Sequence, residues 1–170
     1  MPVRHLSIAS LLAVLLASAP AGARGEPCVG TLSGAVQGTF DCQVTLGKGG
    51  DGAIVFAVTA ASSPAGIRSF APGTLTFRGP LKVQSYSWRD MTQGKASLST
   101  AGGAVFSAAT GQGGKGEAQL TVDEAERYAQ LRGRHVVKGS YRARLVPEQG
   151  SKGGEVVVDV DFTVTSDVLD

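Results

Sequence analysis

No asparagine occurs anywhere in this 170-residue chain, isoleucine appears only at positions 8, 54 and 67, and aromatics make up 6%. Without Asn there is no N-glycosylation acceptor. Asn and Ile both use A/T-rich codons, so their scarcity beside 24 glycines points to a GC-rich bacterial genome. Few aromatics also weaken any reading as a sugar-cleaving cleft walled by many rings. Histidine occurs only as His5 and His135. That count excludes a His-rich metal site, and an imidazole base or a Ser-His-Asp triad would have to use His135.

Several reactive spacings are missing as well. There is no G-x-S-x-G elbow, and no lysine has a serine three residues before it. Lys48 and Lys115 lie among glycines, but Gly rather than Ser or Thr follows each, so neither closes a phosphate loop. Asp159 and Asp161 project from one strand face, and Gly47–Gly52 is a single glycine-rich turn. A hard cation such as calcium requires more oxygens than these supply. Asp41, Asp90, Glu117 and Glu126 are scattered, and no pair stands out as the two carboxylates of a glycosidase. No metal, no cofactor and no catalytic residue is expected.

The chain has a single long apolar run, Leu6 to Ala19, too short for the roughly 20 residues of a membrane-spanning helix. It follows the basic Arg4 and His5 and precedes the small-x-small Ala21-Gly22-Ala23, which is the pattern of a secretory signal. Residues 1–23 are therefore expected to be a cleaved signal peptide and 24–170 a single secreted domain without a transmembrane segment. Cys28 follows Gly25-Glu26-Pro27, unlike a lipoprotein processing box. Cys28 and Cys42 are the only cysteines, both beyond the cut, so export makes them a disulfide rather than a metal site or a nucleophile. The implied location is the periplasm, the cell surface or the medium. The net charge of +2 falls by one when Arg4 is lost, and such near-neutrality argues against nucleic acid as a partner.

What is abundant is alternation. From Phe40 to Leu46 apolar and polar residues alternate without a break, as in a strand with one buried and one solvated face. Cys42 then points into the core. With Cys28 opposite it, Gly30 faces Phe40 and Leu32 faces Gly38, and the disulfide staples a hairpin from inside. Ile54–Val58, Leu75–Phe77, Leu81–Trp88, Lys95–Ser99, Ala104–Ala108 and Glu117–Val122 follow as further strand candidates. Short strands broken by Gly, Pro and Ser predict an all-β protein: an antiparallel β-sandwich, or flattened barrel, of about 8–10 short strands.

Two later segments add detail. Asp123-Glu124-Ala125-Glu126 resembles a capped helix start and Gly133 a stop, which predicts one short helix near 124–132. At the C-terminus, pairing Val146 with Glu155 places Arg142 opposite Asp159 and makes Arg144 a diagonal neighbour. Cross-strand charge pairs of this kind contribute roughly 0.2–1 kcal/mol each.

Two groups of residues qualify as candidate contacts. Tyr86 and Trp88 share a face of the Leu81–Trp88 strand, with Arg89 following. Burial is the plainer reading of two large rings, and a solvated face would make them a stacking platform for a sugar. Arg132, Arg134, His135 and Lys138 form a basic stretch that could touch a polyanion, although the acidic C-terminal strand offers to neutralise its neighbours. The expected function is an exported, non-enzymatic protein with a binding or structural role in the bacterial envelope or extracellular matrix. Its partners would be envelope polysaccharide or another exported protein. The alternatives are a hydrolase acting on cell-wall or extracellular polymer, and a small inhibitor or partner of an exported enzyme.

Overall fold

The computed structural model describes residues 25–111, 114–127 and 133–169. The expected signal peptide at 1–23 lies outside the described residues. Ten strands follow one another: β1 (Glu26–Gly34), β2 (Gly38–Lys48), β3 (Ile54–Ala60), β4 (Ile67–Phe77), β5 (Ser85–Ser87), β6 (Met91–Thr100), β7 (Val105–Ala109), β8 (Glu117–Arg127), β9 (His135–Pro147) and β10 (Val156–Ser166). A single 3₁₀ turn, η1 (Trp88–Asp90), links β5 to β6.

The antiparallel all-β expectation holds, and of the two architectures it is the barrel that forms. The order β10-β1-β2-β3-β4-β6-β7-β9 closes on itself because β9 also pairs with β10. Closure depends on the length of β9. One edge takes β10 along almost its whole length, and the other takes β8 as far as Arg144 and then β7 at Val146 and Pro147. Strands β8 and β5 extend from that second edge as an additional flap. A closed ring leaves no edge strands within it to pair with other chains.

The alternation seen in the sequence fills the barrel. Phe40, Phe56, Phe77, Phe106, Tyr141, Leu75, Leu98, Leu120 and Leu145 are all fully buried. Each such side chain contributes roughly 1.5–3 kcal/mol relative to exposure. Tyr141 packs against Phe56 with ring centroids 5.5 Å apart, and its hydroxyl donates to the Pro72 carbonyl at 2.9 Å. Gly73 supplies the room, since a Cβ there would collide with the Tyr141 hydroxyl. Burial pushes the Tyr141 phenol well above its ordinary pKa.

The first and last hairpins adopt the expected registers. Cys28 pairs with Cys42, Gly30 with Phe40 and Leu32 with Gly38, and the Cys28–Cys42 disulfide is formed. Arg142 lies opposite Asp159, with Leu145 opposite Val156.

Two expectations are corrected. The helix placed near 124–132 does not form over its first part, because Glu124 to Arg127 continue β8. They pair with Lys138 to His135 on β9, and a bulge between Val122 and Glu124 shifts the phase of the alternation. That bulge hides the strand pattern and leaves the capping signal standing alone in the sequence; ladder hydrogen bonds and the Glu124–Lys138 pair then override it. Residues 128–132 lie outside the described residues. Likewise, Leu81–Trp88 is not one strand. Regular pairing covers only Ser85–Ser87, and Trp88 begins η1 instead of continuing the strand.

Candidate functional site

The corner between β5 and β6 builds the most developed site on the outer wall. At Ser87 the backbone N–H and the hydroxyl both donate to the Asp90 carboxylate, at 2.7 and 3.0 Å. These bonds hold the Asp90 carboxyl below its ordinary range and turn the chain tightly at η1. Tyr86 enters the core, and Trp88 packs against the border of the same core. The indole N–H donates to the Gly116 carbonyl at 2.8 Å, and the ring lies directly against Gly94 of β6. Trp88 as a whole is half-buried.

Beside it, the sheet supplies a polar floor. Ser87 pairs with Gln119, Gln119 with Arg142, Arg142 with Asp159, Asp159 with Thr31, and Thr31 with Thr39. These residues form one outward row across β5, β8, β9, β10, β1 and β2. The inward row next to it reads Tyr86, Leu120, Tyr141, Val160, Gly30 and Phe40, all buried. With strands about 4.8 Å apart, the outer row extends over roughly 24 Å.

Where the row meets η1, the wall opens into a pocket of about 370 Å³ lined by Ser87, Trp88, Arg89, Gln119, Arg142 and Arg144, with Glu117 beside them. Its three arginines differ in what they already hold. Arg144 reaches Glu117 at 2.8 Å and Glu155 at 3.4 Å. Arg142 engages Asp159 through Nε, at 3.5 Å. Arg89 has no carboxylate partner among the described residues. A half-buried tryptophan, an amide and three arginines therefore line one concave surface.

Of the three residues expected as a ligand contact, Trp88 and Arg89 line this pocket and Tyr86 does not. Tyr86 is only 7% exposed; its ring meets Phe77 edge-on at 5.4 Å and its hydroxyl bonds the Lys82 backbone. Gln119, Arg142 and Arg144 were not legible as pocket residues. The alternation of Arg142 and Arg144 carried a signal, but it reads as a charge ladder and says nothing of concavity.

The basic stretch is only partly covered by the described residues. Arg132 lies outside them, Arg134 is exposed, and His135 is half-buried in register with Arg127 and Ser166. The His135 Nδ1 is buried without a hydrogen-bond partner among the described residues. Lys138 is bound to Glu124 at 2.8 Å, which raises its pKa, and the hollow beside it also holds Asp123 and Asp161. Lys138 thus sits among carboxylates. No group of three His, Cys, Asp or Glu side chains converges for a metal among the described residues.

Compared with known proteins, no family model matches the chain, and neither does any curated protein or solved structure.

Proposed function

We propose that this chain is an exported, non-enzymatic β-barrel that binds an envelope or matrix polysaccharide on its outer wall. The observation that carries this reading is Trp88, held by the Gly116 bond and the Gly94 contact at the border of a polar pocket. An aromatic face beside amide and guanidinium donors is suited to stacking on a pyranose ring while bonding its hydroxyls. The outward row beyond the pocket offers an extended polymer further polar contacts. Export is supported by the leader at 1–23 and by the Cys28–Cys42 disulfide, a bond that persists in oxidising compartments. The non-enzymatic half is supported by the single carboxylate in the pocket, Glu117, being held by Arg144.

Trp88 is the only tryptophan, so its fluorescence reports on this pocket alone. Titration with cellohexaose, chitohexaose and hexagalacturonate is expected to shift or quench its emission for at least one of them. Trp88→Ala abolishes that binding as read by calorimetry. Gln119→Trp, which blocks the pocket from β8 without touching the Gly116 bond, abolishes it too. Binding that survives both substitutions, or silence from all three oligomers, rejects the reading. Release of reducing ends during incubation rejects its non-enzymatic half.

A further inference from the structure

We infer that the sugar seated on Trp88 is an acidic one, a pyranose bearing a carboxylate, and that Arg89 is the residue that selects it. This rests on the polysaccharide reading above and specifies its ligand.

The inference comes from an inventory of charge around the pocket. Every carboxylate near the pocket floor is already held: Glu117 and Glu155 by Arg144, and Asp159 by Arg142. Asp90, the acid next in sequence to Arg89, accepts two hydrogen bonds from Ser87. Arg89 is therefore the pocket cation that forms no ion pair among the described residues, its charge acting on the neighbouring Asp90 carboxyl only through space, and Arg142 reaches Asp159 through Nε at 3.5 Å. A guanidinium presents a planar fork that matches a carboxylate in a bidentate manner, and it remains charged at any accessible pH. A neutral sugar would leave that fork facing water; an acidic sugar would complete it.

Location reinforces the charge argument. Strand β3 (IVFAVTA) and strand β7 (VFSAA) carry no charged residue at all. Strands β8, β9 and β10 carry most of the paired charges, and the pocket opens on their side of the barrel. Arg89 also directly follows Trp88 in η1, and the Ser87–Asp90 bonds brace the turn from both ends. Stacking surface and carboxylate receptor are thus presented by one braced turn. The acidic row member Asp159 lies two strands away from Gln119 and behind Arg142, so it does not face the carboxylate directly.

The test compares hexagalacturonate with cellohexaose on the disulfide-intact chain, using Trp88 emission and calorimetry. Hexagalacturonate is expected to bind more tightly at low salt and to lose affinity as salt rises, with cellohexaose insensitive. Arg89→Gln is expected to weaken the acidic oligomer by about 10- to 100-fold and cellohexaose far less, since a neutral sugar loses only a hydroxyl contact. Circular dichroism of Arg89→Gln should match the parent, because Arg89 is exposed and makes no structural ion pair among the described residues. Equal binding of both oligomers, unaffected by Arg89→Gln, overturns the inference and leaves the polysaccharide reading standing. Binding of neither oligomer overturns the inference, and overturns the polysaccharide reading too when chitohexaose is silent as well. Tighter binding of a sulfated hexasaccharide than of the uronate rejects the carboxylate in favour of another oxyanion.

Discussion

Trp88 and Gly94 are in such close contact that the indole ring occupies the space a side chain on Gly94 would need. The contact joins the β5–β8 flap to β6, because the same ring donates its N–H to Gly116 at the start of β8. Gly94 is not in a left-handed conformation, so its requirement is purely one of space.

Gly94→Ala is therefore expected to displace Trp88 rather than to strain the backbone. Overpacking of this kind costs roughly 1–3 kcal/mol. The emission maximum of the single tryptophan should move to the red as the ring is pushed into water, and oligosaccharide binding should weaken in parallel. An unchanged spectrum and unchanged stability would show that the ring is not seated on Gly94.

A second close packing gives an alkaline prediction. The Tyr141 hydroxyl fills the space beside Gly73 and donates to the Pro72 carbonyl inside the barrel. Its phenol ionises well above the value of 10.0 expected for an unfolded chain, because burial penalises the charged form. Above that pH the unfolded state loses its proton while the folded state retains it. Stability is thus fully present below pH 10.0 and falls as pH rises through and beyond it. Tyr141→Phe abolishes this contribution to the alkaline slope. At neutral pH it costs about 1–3 kcal/mol, because the buried Pro72 carbonyl loses its donor. Urea melts at pH 8 and pH 11 check both parts, and an identical slope in the variant sinks the argument.

The legible part of the fold is the part fixed by local alternation. Phe40–Leu46 gave its own phase, and with Cys28 opposite Cys42 that phase determined every partner in the first hairpin. Arg142 and Asp159 did the same for the last hairpin. What the sequence hid was governed by single-residue departures. One extra residue between Val122 and Glu124 made a strand read as a helix start. A tight turn after Ser87 ends the strand at once, so the spacing of two between Tyr86 and Trp88 no longer sets their relation. The pocket was hidden for a further reason: Gln119, Arg142 and Arg144 belong to strands whose adjacency to η1 is set by long-range pairing.

The Cys28–Cys42 disulfide closes a loop with a sequence separation of 14. On the chain-entropy argument such a loop is worth on the order of 3 kcal/mol. Strand β1 is also held on its other side by β10, from Gly30 to Gly34. Reduction is therefore expected to lower the urea midpoint while leaving the barrel folded at low denaturant. The Cys28→Ala, Cys42→Ala double variant should behave like the reduced protein, with an added loss from the buried Cys42 site. Complete unfolding on reduction alone would mean that β10 does not secure β1.

Glu117 and Arg144 form the last relationship with a functional consequence. Both are exposed, so their ion pair contributes only about 0.2–1 kcal/mol and weakens with salt. Its larger effect is on the pocket, since the Glu117 carboxylate occupies Arg144 Nη2 and adds a negative charge beside the proposed acidic sugar. Glu117→Gln removes that charge and leaves Arg144 tethered through Glu155. The variant is expected to bind hexagalacturonate several-fold more tightly at low salt, with little change in thermal stability. Arg144→Ala should act in the opposite direction on affinity, because it releases Glu117 and Glu155 as uncompensated charges. Calorimetric titration of the two variants decides it: affinity that falls in Glu117→Gln would place the carboxylate among the groups that hold the ligand rather than among those that repel it.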